Sequence, residues 1–260
     1  MKKIVYTLAA VVTLLNISCS SDDDNGGNNT TVNTYLPLTD GNSWVYDVSG
    51  SLQTGRDSVY IAQDTVIGAN TYKRVETLAA PSGFFSNVLR NNGVRKDGDA
   101  IKVSGSTTVS VSSDLPFSLA VTDLVVFREN ATAGQQLGTV SGTIQQTYEG
   151  IPLDFTYTLT TTADETLPTY TVSGHTYTNV KKVKAVINLG IGYNFQGFPV
   201  NLLTPQDVIT SYQYYAENIG VVNVETTFTY SLEATFAGVL GIPPTATETQ
   251  QEVLDNYNVN

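Results

Sequence analysis

The sequence predicts an all-β protein: a single strongly curved antiparallel sheet, half-barrel or barrel-like, with little helix. Thr, Val, Tyr and Phe recur in runs that alternate apolar and polar residues. Gly, Asn, Asp and Pro, the residues of turns, separate these runs, and helix signals are scarce. Of the 260 residues, 41% are hydrophobic and 14% charged, which suits a packed core and not a disordered chain.

Residues 1–18, MKKIVYTLAAVVTLLNIS, open with two lysines and continue with an apolar run from Ile4 to Leu15. That is an export signal in outline. The run is too short to span a membrane, which takes ~20 apolar residues. The only cysteine, Cys19, follows at once. A lone thiol in an exported protein cannot close an intramolecular disulfide, and lipidation would use it. The junction resembles the lipobox of bacterial lipoproteins, with Ser18 before the cut and Leu15 four residues before the cysteine.

That resemblance implies removal of residues 1–18 and acylation of Cys19, giving more than the two signals that stable anchoring needs. Ser20, where a retained lipoprotein carries Asp, implies transfer to the outer membrane. Ser20 and Ser21 followed by Asp22, Asp23 and Asp24 are similar to the signal that carries Bacteroidetes lipoproteins to the cell exterior. A solvated tether is the alternative reading of the acidic run. Residues 25–33, mostly Gly, Asn and Thr, complete a flexible tether over 19–33.

Residues 34–260 read as a single β-domain. The run IPLDFTYTLT puts Leu153, Phe155, Tyr157 and Leu159 on one face and Asp154, Thr156, Thr158 and Thr160 on the other. In VVNVETTFTYSLEATF, Val222, Val224, Phe228, Tyr230, Leu232, Ala234 and Phe236 share one parity, with Thr226 the polar intruder. A straight strand of that length would be ~50 Å long, so it must curve round a core or break near Ser231. SYQYYAENIGVV sets Tyr212 and Tyr214 together, Tyr215 opposite, and Gly220 at a turn or bulge.

Two segments repeat a grammar. TVIGANTYKRVET from Thr65 and TVSGHTYTNVKKV from Thr171 each read as a hairpin with its turn at Gly68 or Gly174, the first turn one residue longer. Upstream of each lies an echo, DGNSWVY from Asp40 and AGQQLGT from Ala133. Chance recurrence of a common turn phrase is one reading of the pattern, and an internal duplication of β-units is the alternative.

YLPLTDGNSWVYDV, GHTYTNVKKVK and YYAENIGVV resemble three signatures of uncharacterised Bacteroidetes outer-membrane lipoproteins, the first reading Pro-Leu-x-x-Gly-x-x-Trp-x-Tyr. The resemblance reaches from about Tyr35 to Val224. It implies a strongly curved antiparallel sheet in which Trp44 and Tyr46 plug the core and Gly220 bends the chain after Tyr215.

Charge excludes one class of partner. Thirteen basic against 24 acidic residues give −11, and no Lys or Arg follows Lys184. Such a surface does not grip a phosphate backbone, so nucleic acid is not expected. No P-loop, Gly-x-Gly-x-x-Gly loop or Gly-x-Ser-x-Gly elbow is present, and no cofactor is expected. The single histidine, His175, falls in a hairpin turn, so a site built on several histidines is ruled out by count.

Asp97 and Asp99 flank Gly98 and read as a turn, with a Ca²⁺ site as the alternative. Arg90, Arg95, Lys96 and Lys102 form one basic cluster and Lys181, Lys182 and Lys184 another. On a strand Lys182 and Lys184 share a face opposite Lys181 and Val183, and protection of a sheet edge is the expected role.

No catalytic set emerges. The reading is a surface-exposed lipoprotein on its membrane anchor, acting as a binding or interaction module for an apolar or carbohydrate ligand. Trp44, Tyr212 and Tyr214 are the candidate ligand-facing aromatics, and a core role is the competing account of each. A cell-surface hydrolase using two carboxylates and a structural envelope protein are the alternatives.

Overall fold

The alternation in the sequence becomes strand almost throughout. In order the elements are β1 (Ser43–Gly50), β2 (Gly55–Ile67), β3 (Asn70–Thr77), α1 (Phe84–Leu89), β4 (Gly93–Asp97), β5 (Ala100–Ser110), β6 (Pro116–Arg128), β7 (Gln136–Tyr148), β8 (Ile151–Val172), β9 (His175–Phe195), β10 (Phe198–Ala216), β11 (Gly220–Ser231) and β12 (Thr245–Asn258). The computed structural model describes residues 34–51, 53–110, 116–148, 150–233, 237–238 and 243–260. The expected signal peptide, Cys19, the run from Ser20 to Asp24, the tether, and Ala234 and Phe236 lie outside the described residues.

All twelve strands join one antiparallel sheet in the order β6-β5-β4-β3-β2-β1-β12-β11-β10-β9-β8-β7. Strand follows strand up and down, β1 pairs with β12 from Ser43↔Asn258 onward, and the sheet rolls into a nearly closed barrel. The predicted fold class is therefore the observed one. One end of the barrel carries the β2–β3, β4–β5, β8–β9 and β10–β11 turns. Thr34 lies at that end too, where its N–H donates to the Asn218 side chain at 3.1 Å and its carbonyl accepts the Asn218 N–H at 2.7 Å. We call it the entry end.

Side-chain parity places the core. On β11, Val222, Val224, Thr226, Phe228 and Tyr230 are buried, and the strand ends at Ser231, where the sequence expects a break. On β8, Leu153, Phe155 and Tyr157 are buried on the same inner side. The entry half is filled by aromatic rings: Tyr35, Phe127 and Tyr215 pack in series at 5.1 and 4.5 Å between centroids. Trp44 and Tyr46 complete that cluster. The far half is mostly aliphatic, built on residues such as Val109, Leu119, Ile187, Leu189 and Ile209.

Strands β8, β9 and β10 run to 22, 21 and 19 residues, far beyond the usual 3 to ~10. Register shifts at Ala163/Glu165, Asn201/Leu203 and Leu203/Gln206 let them bend. At Tyr214/Tyr215 another shift turns Tyr215 inward while Tyr212 and Tyr214 face out. Opposite Ala216, Gly220 takes φ +118, where a Cβ would meet the Trp44 ring nitrogen at 2.9 Å.

Two sequence expectations need correction. Both repeated hairpins have two-residue turns, Gly68–Ala69 between Ile67 and Asn70 and Ser173–Gly174 between Val172 and His175. Gly68 is first in its turn and Gly174 second, so aligning the glycines creates a false extra residue. Both hairpins nevertheless occupy equivalent places, β2–β3 and β8–β9, in successive sets of six strands. The second correction concerns the basic clusters. Lys181, Lys182 and Lys184 lie on β9, which pairs on both sides, as do β4 and β5, which carry Arg95, Lys96 and Lys102. None protects an edge.

The true edges are β6 and β7. The β6 edge packs against the inner face of β8, where the buried Thr161 hydroxyl meets the Val125 carbonyl at 2.6 Å. Nearby, the Phe117 and Phe155 rings stack at 6.0 Å.

Candidate ligand cavity

The wall is incomplete beside β3 and β4, which pair only through Lys73↔Val94 and Arg74↔Gly93. Between them the chain leaves the sheet and returns as the six-residue helix α1. A helix of that length is unstable alone, because nucleation is not offset by propagation. Here inward-facing side chains of the wall hold it.

Asp57 on β2 accepts the Ser82 and Gly83 N–H groups at 2.8 and 2.7 Å. Gln250 on β12 accepts the Phe84 N–H at 2.7 Å. Glu252, two residues on, accepts Phe85 N–H at 2.6 Å, Ser86 N–H at 3.1 Å and the Ser86 hydroxyl at 2.7 Å. The first turn thus finds every acceptor it needs on the barrel wall. Gly83 is required by closeness: a Cβ there would stand 2.1 Å from Glu252 Oε2.

Burial pushes the Glu252 carboxyl up to about 7, against the hydrogen bonds from Ser86 and Phe85, with the nearby Asp57 adding to the rise. Asp57 and Glu252 are the convergent carboxylates a hydrolase would need. All four of their oxygens, however, accept hydrogen bonds from the segment they hold, and neither residue lines the cavity below. The arrangement caps a helix and leaves no oxygen facing a substrate.

Behind α1 lies an internal cavity of about 90 Å³. Phe84, Val109, Leu119, Ile187 and Ile209 are part of its apolar lining, with Asn92, Ser211 and Gln213 among the polar groups that reach it. These already have partners: Asn92 binds the Val88 carbonyl and the Ser106 N–H, Ser211 accepts from Thr226, and Gln213 accepts from Tyr215. An apolar cavity of ~150 Å³ holds a benzene ring; this one accommodates a smaller group.

The aromatics singled out in the sequence do not meet there. Trp44 is 2% exposed in the entry-half core and donates its ring N–H to the Ile219 carbonyl at 2.7 Å. Tyr212 and Tyr214 stand on the outer face, across the sheet from the cavity. Tyr214 stacks on Tyr170 at 4.3 Å, and Lys182 lies 4.4 Å over the Tyr212 ring. The chain's own side chains cover both, so the three form no common ligand platform.

Asp97 and Asp99 stand at the β4–β5 turn, ion-paired at 2.6 Å with Lys102 and Arg128 respectively. Among the described residues no three His, Cys, Asp or Glu side chains group as a metal site would require. His175 is exposed at the start of β9. Asp57, Gln250 and Glu252 went unnoticed in the sequence; their one signal is the parity that Gln250 and Glu252 share with the apolar Leu254. No family model matches the chain, and comparison with curated proteins and with solved structures returned no match.

Proposed function

We propose that this protein is a lipoprotein of the uncharacterised Bacteroidetes type, anchored through Cys19 at the outer face of the outer membrane, whose barrel binds a small apolar group. The observation that carries the binding role is the apolar cavity behind α1, closed by a helix that side chains of the wall hold in place. The lipobox-like junction at Cys19 supports the anchoring, and the acidic run from Asp22 to Asp24 supports surface display. The cavity volume limits the ligand to a small molecule or the end of a chain.

Native mass spectrometry of the protein isolated from its own host tests the binding role. A small apolar adduct, lost when Ile187→Trp fills the cavity, is the expected result. An adduct-free spectrum of the unaltered protein rejects it. Labelled palmitate tests the anchor: incorporation is expected in the natural chain and abolished by Cys19→Ser, and no incorporation overturns the placement.

A structural envelope role is the second reading. It is favoured by the aromatic filling of the entry half, where Trp44, Tyr46, Tyr35, Phe127 and Tyr215 leave the interior occupied by the protein itself.

A further inference from the structure

The two edges of the rolled sheet are treated differently. β6 is tucked against β8 through Thr161 and Phe155, begins with a proline and carries Asp123 at φ +50 within a register shift. Each of these is a device that blunts an edge. β7 has only a register shift at its start, between Gln136 and Gly138, where a Cβ on Gly138 would meet the Val125 carbonyl of β6 at 2.8 Å; from Gly138 onward it is regular and has neither a proline nor a left-handed residue. Its partner on one side is β8, and among the described residues it makes no backbone hydrogen bond to any other strand. Alternate N–H and C=O groups along β7 therefore point away from the sheet, an open template for another strand.

Charge selects the occupant. Of the twelve strands, β7 alone (QLGTVSGTIQQTY) contains no Asp, Glu, Lys or Arg. Two chains of net charge −11 repel at most surfaces, and a neutral edge is where their backbones can meet without opposing like charges. We propose that β7 pairs with β7 of a second copy, antiparallel about a two-fold axis, joining the two sheets into one.

The register follows from two requirements. Inner faces must meet inner faces, so beyond the Gln136/Gly138 shift paired residue numbers have an even sum, and centring Gln136–Tyr148 on itself puts the axis at Gly142 with the regular run Gly138–Gln146 paired. Half-buried Val140 then lies opposite half-buried Ile144 of the other copy, and exposed Ser141 opposite exposed Thr143. A symmetric contact of this kind closes on itself and stops at two. It also points the barrels in opposite directions, with the entry end of one beside the far end of the other.

Paired charge variants test both the pairing and its register. Ser141→Lys with Thr143→Lys places lysine opposite lysine twice across the axis. Ser141→Lys with Thr143→Glu places lysine opposite glutamate twice. Within one copy the residues directly opposite are Thr158 and Thr156 on β8, so neither variant meets an opposing charge across that pair, and melting of each variant checks that its fold is kept. The full chain in mild detergent, followed by sedimentation velocity from about 1 to 100 μM, covers the range expected of a modest interface.

The natural chain should shift from monomer to dimer. The lysine–lysine variant should raise the dissociation constant at least tenfold, although its net charge is lower in magnitude, and the lysine–glutamate variant should dimerise at least as well as the natural chain. A natural chain that stays monomeric overturns the proposal, and so does a dimer that ignores both variants. Equal weakening by both variants overturns the register.

Discussion

Carboxylates on the two faces of the barrel wall are made tolerable in opposite ways. Outside, Asp123 on β6 receives a two-point contact from Arg95, Nε to Oδ1 at 2.8 Å and Nη2 to Oδ2 at 2.9 Å, with Tyr72 and Asn70 adding hydrogen bonds. The Arg95 guanidinium, followed by the Tyr72 hydroxyl, holds its carboxyl down at about 2. Inside, Glu252 meets no cation among the described residues. It faces the Phe85 and Ser86 N–H groups, the Ser86 hydroxyl and the acidic Asp57, and burial raises it to about 7. An acid beside a cation at a wet surface is stabilised as an anion. One sealed among neutral donors shifts towards its protonated form, and its worth to the fold lies in the groups it satisfies.

The comparison breaks most visibly at Glu252. Glu252→Ala leaves the Phe85 and Ser86 N–H groups without their acceptor inside the barrel, at ~1–3 kcal/mol each, and opens a void. A loss of about 3 kcal/mol or more is expected in urea unfolding, with α1 released. A loss below about 1 kcal/mol would mean that the helix seats itself by its apolar residues alone. Gly83→Ala attacks the same contact from the other side. Its Cβ falls within 2.2 Å of the Glu252 carboxylate, and relief of that overlap costs about 1–3 kcal/mol. Melting of the variant should show a loss in that range, largely absent when Gly83→Ala is combined with Glu252→Ala, because the overlap is then gone.

The pH dependence separates the two faces by sign. Glu252 has a folded value above its unfolded one, so between about 4.5 and 7 the native state binds more protons and stability falls as pH rises. The full span is on the order of 3 kcal/mol for a group this buried. Asp123 works in reverse: its contribution is complete above about 3.8 and is lost as pH falls towards 2. Urea unfolding of the natural chain and Glu252→Gln from pH 4.5 to 7.5 isolates the first effect. The gap between the two should narrow as pH rises, since the amide does not titrate. A constant gap would show that Glu252 keeps one protonation state throughout.

The outer half of this picture was easier to read than the inner. Period-two alternation marks β8 and β11 because each has one wet and one dry face, and Leu153, Phe155, Val224 and Phe228 all face the core as the pattern requires. α1 left no comparable trace. Six residues, FFSNVL, are too few to show a helical period, and its caps come from β2 and β12, up to 167 residues away in sequence. Parity sets Tyr212 and Tyr214 opposite Tyr215 without saying which side is the outer one, and the burial of Tyr214 under Tyr170 depends on how far the β8–β9 hairpin reaches, which local pattern does not encode. The core role of Trp44 was implied by the resemblance of its segment to the lipoprotein signature; its bond to the Ile219 carbonyl needed the closed barrel.

Asp123→Asn is the mildest change and the most discriminating. Asparagine accepts the left-handed backbone that Asp123 adopts at φ +50, so the substitution removes charge without adding strain. One oxygen still accepts a hydrogen bond, while the new amide group faces a donor of Arg95 or Asn70. The pair is partly open to solvent, Arg95 at 18% and Asp123 at 28% exposure, and screening limits such contacts to about 1 kcal/mol or less. The measured loss at neutral pH should therefore be small, shrink further in 1 M salt, where the screening length is ~3 Å, and vanish near pH 2. A penalty as large as that of Glu252→Ala, insensitive to salt, would mean that Asp123 also acts chiefly by satisfying buried donors, and the distinction between the two faces would fail.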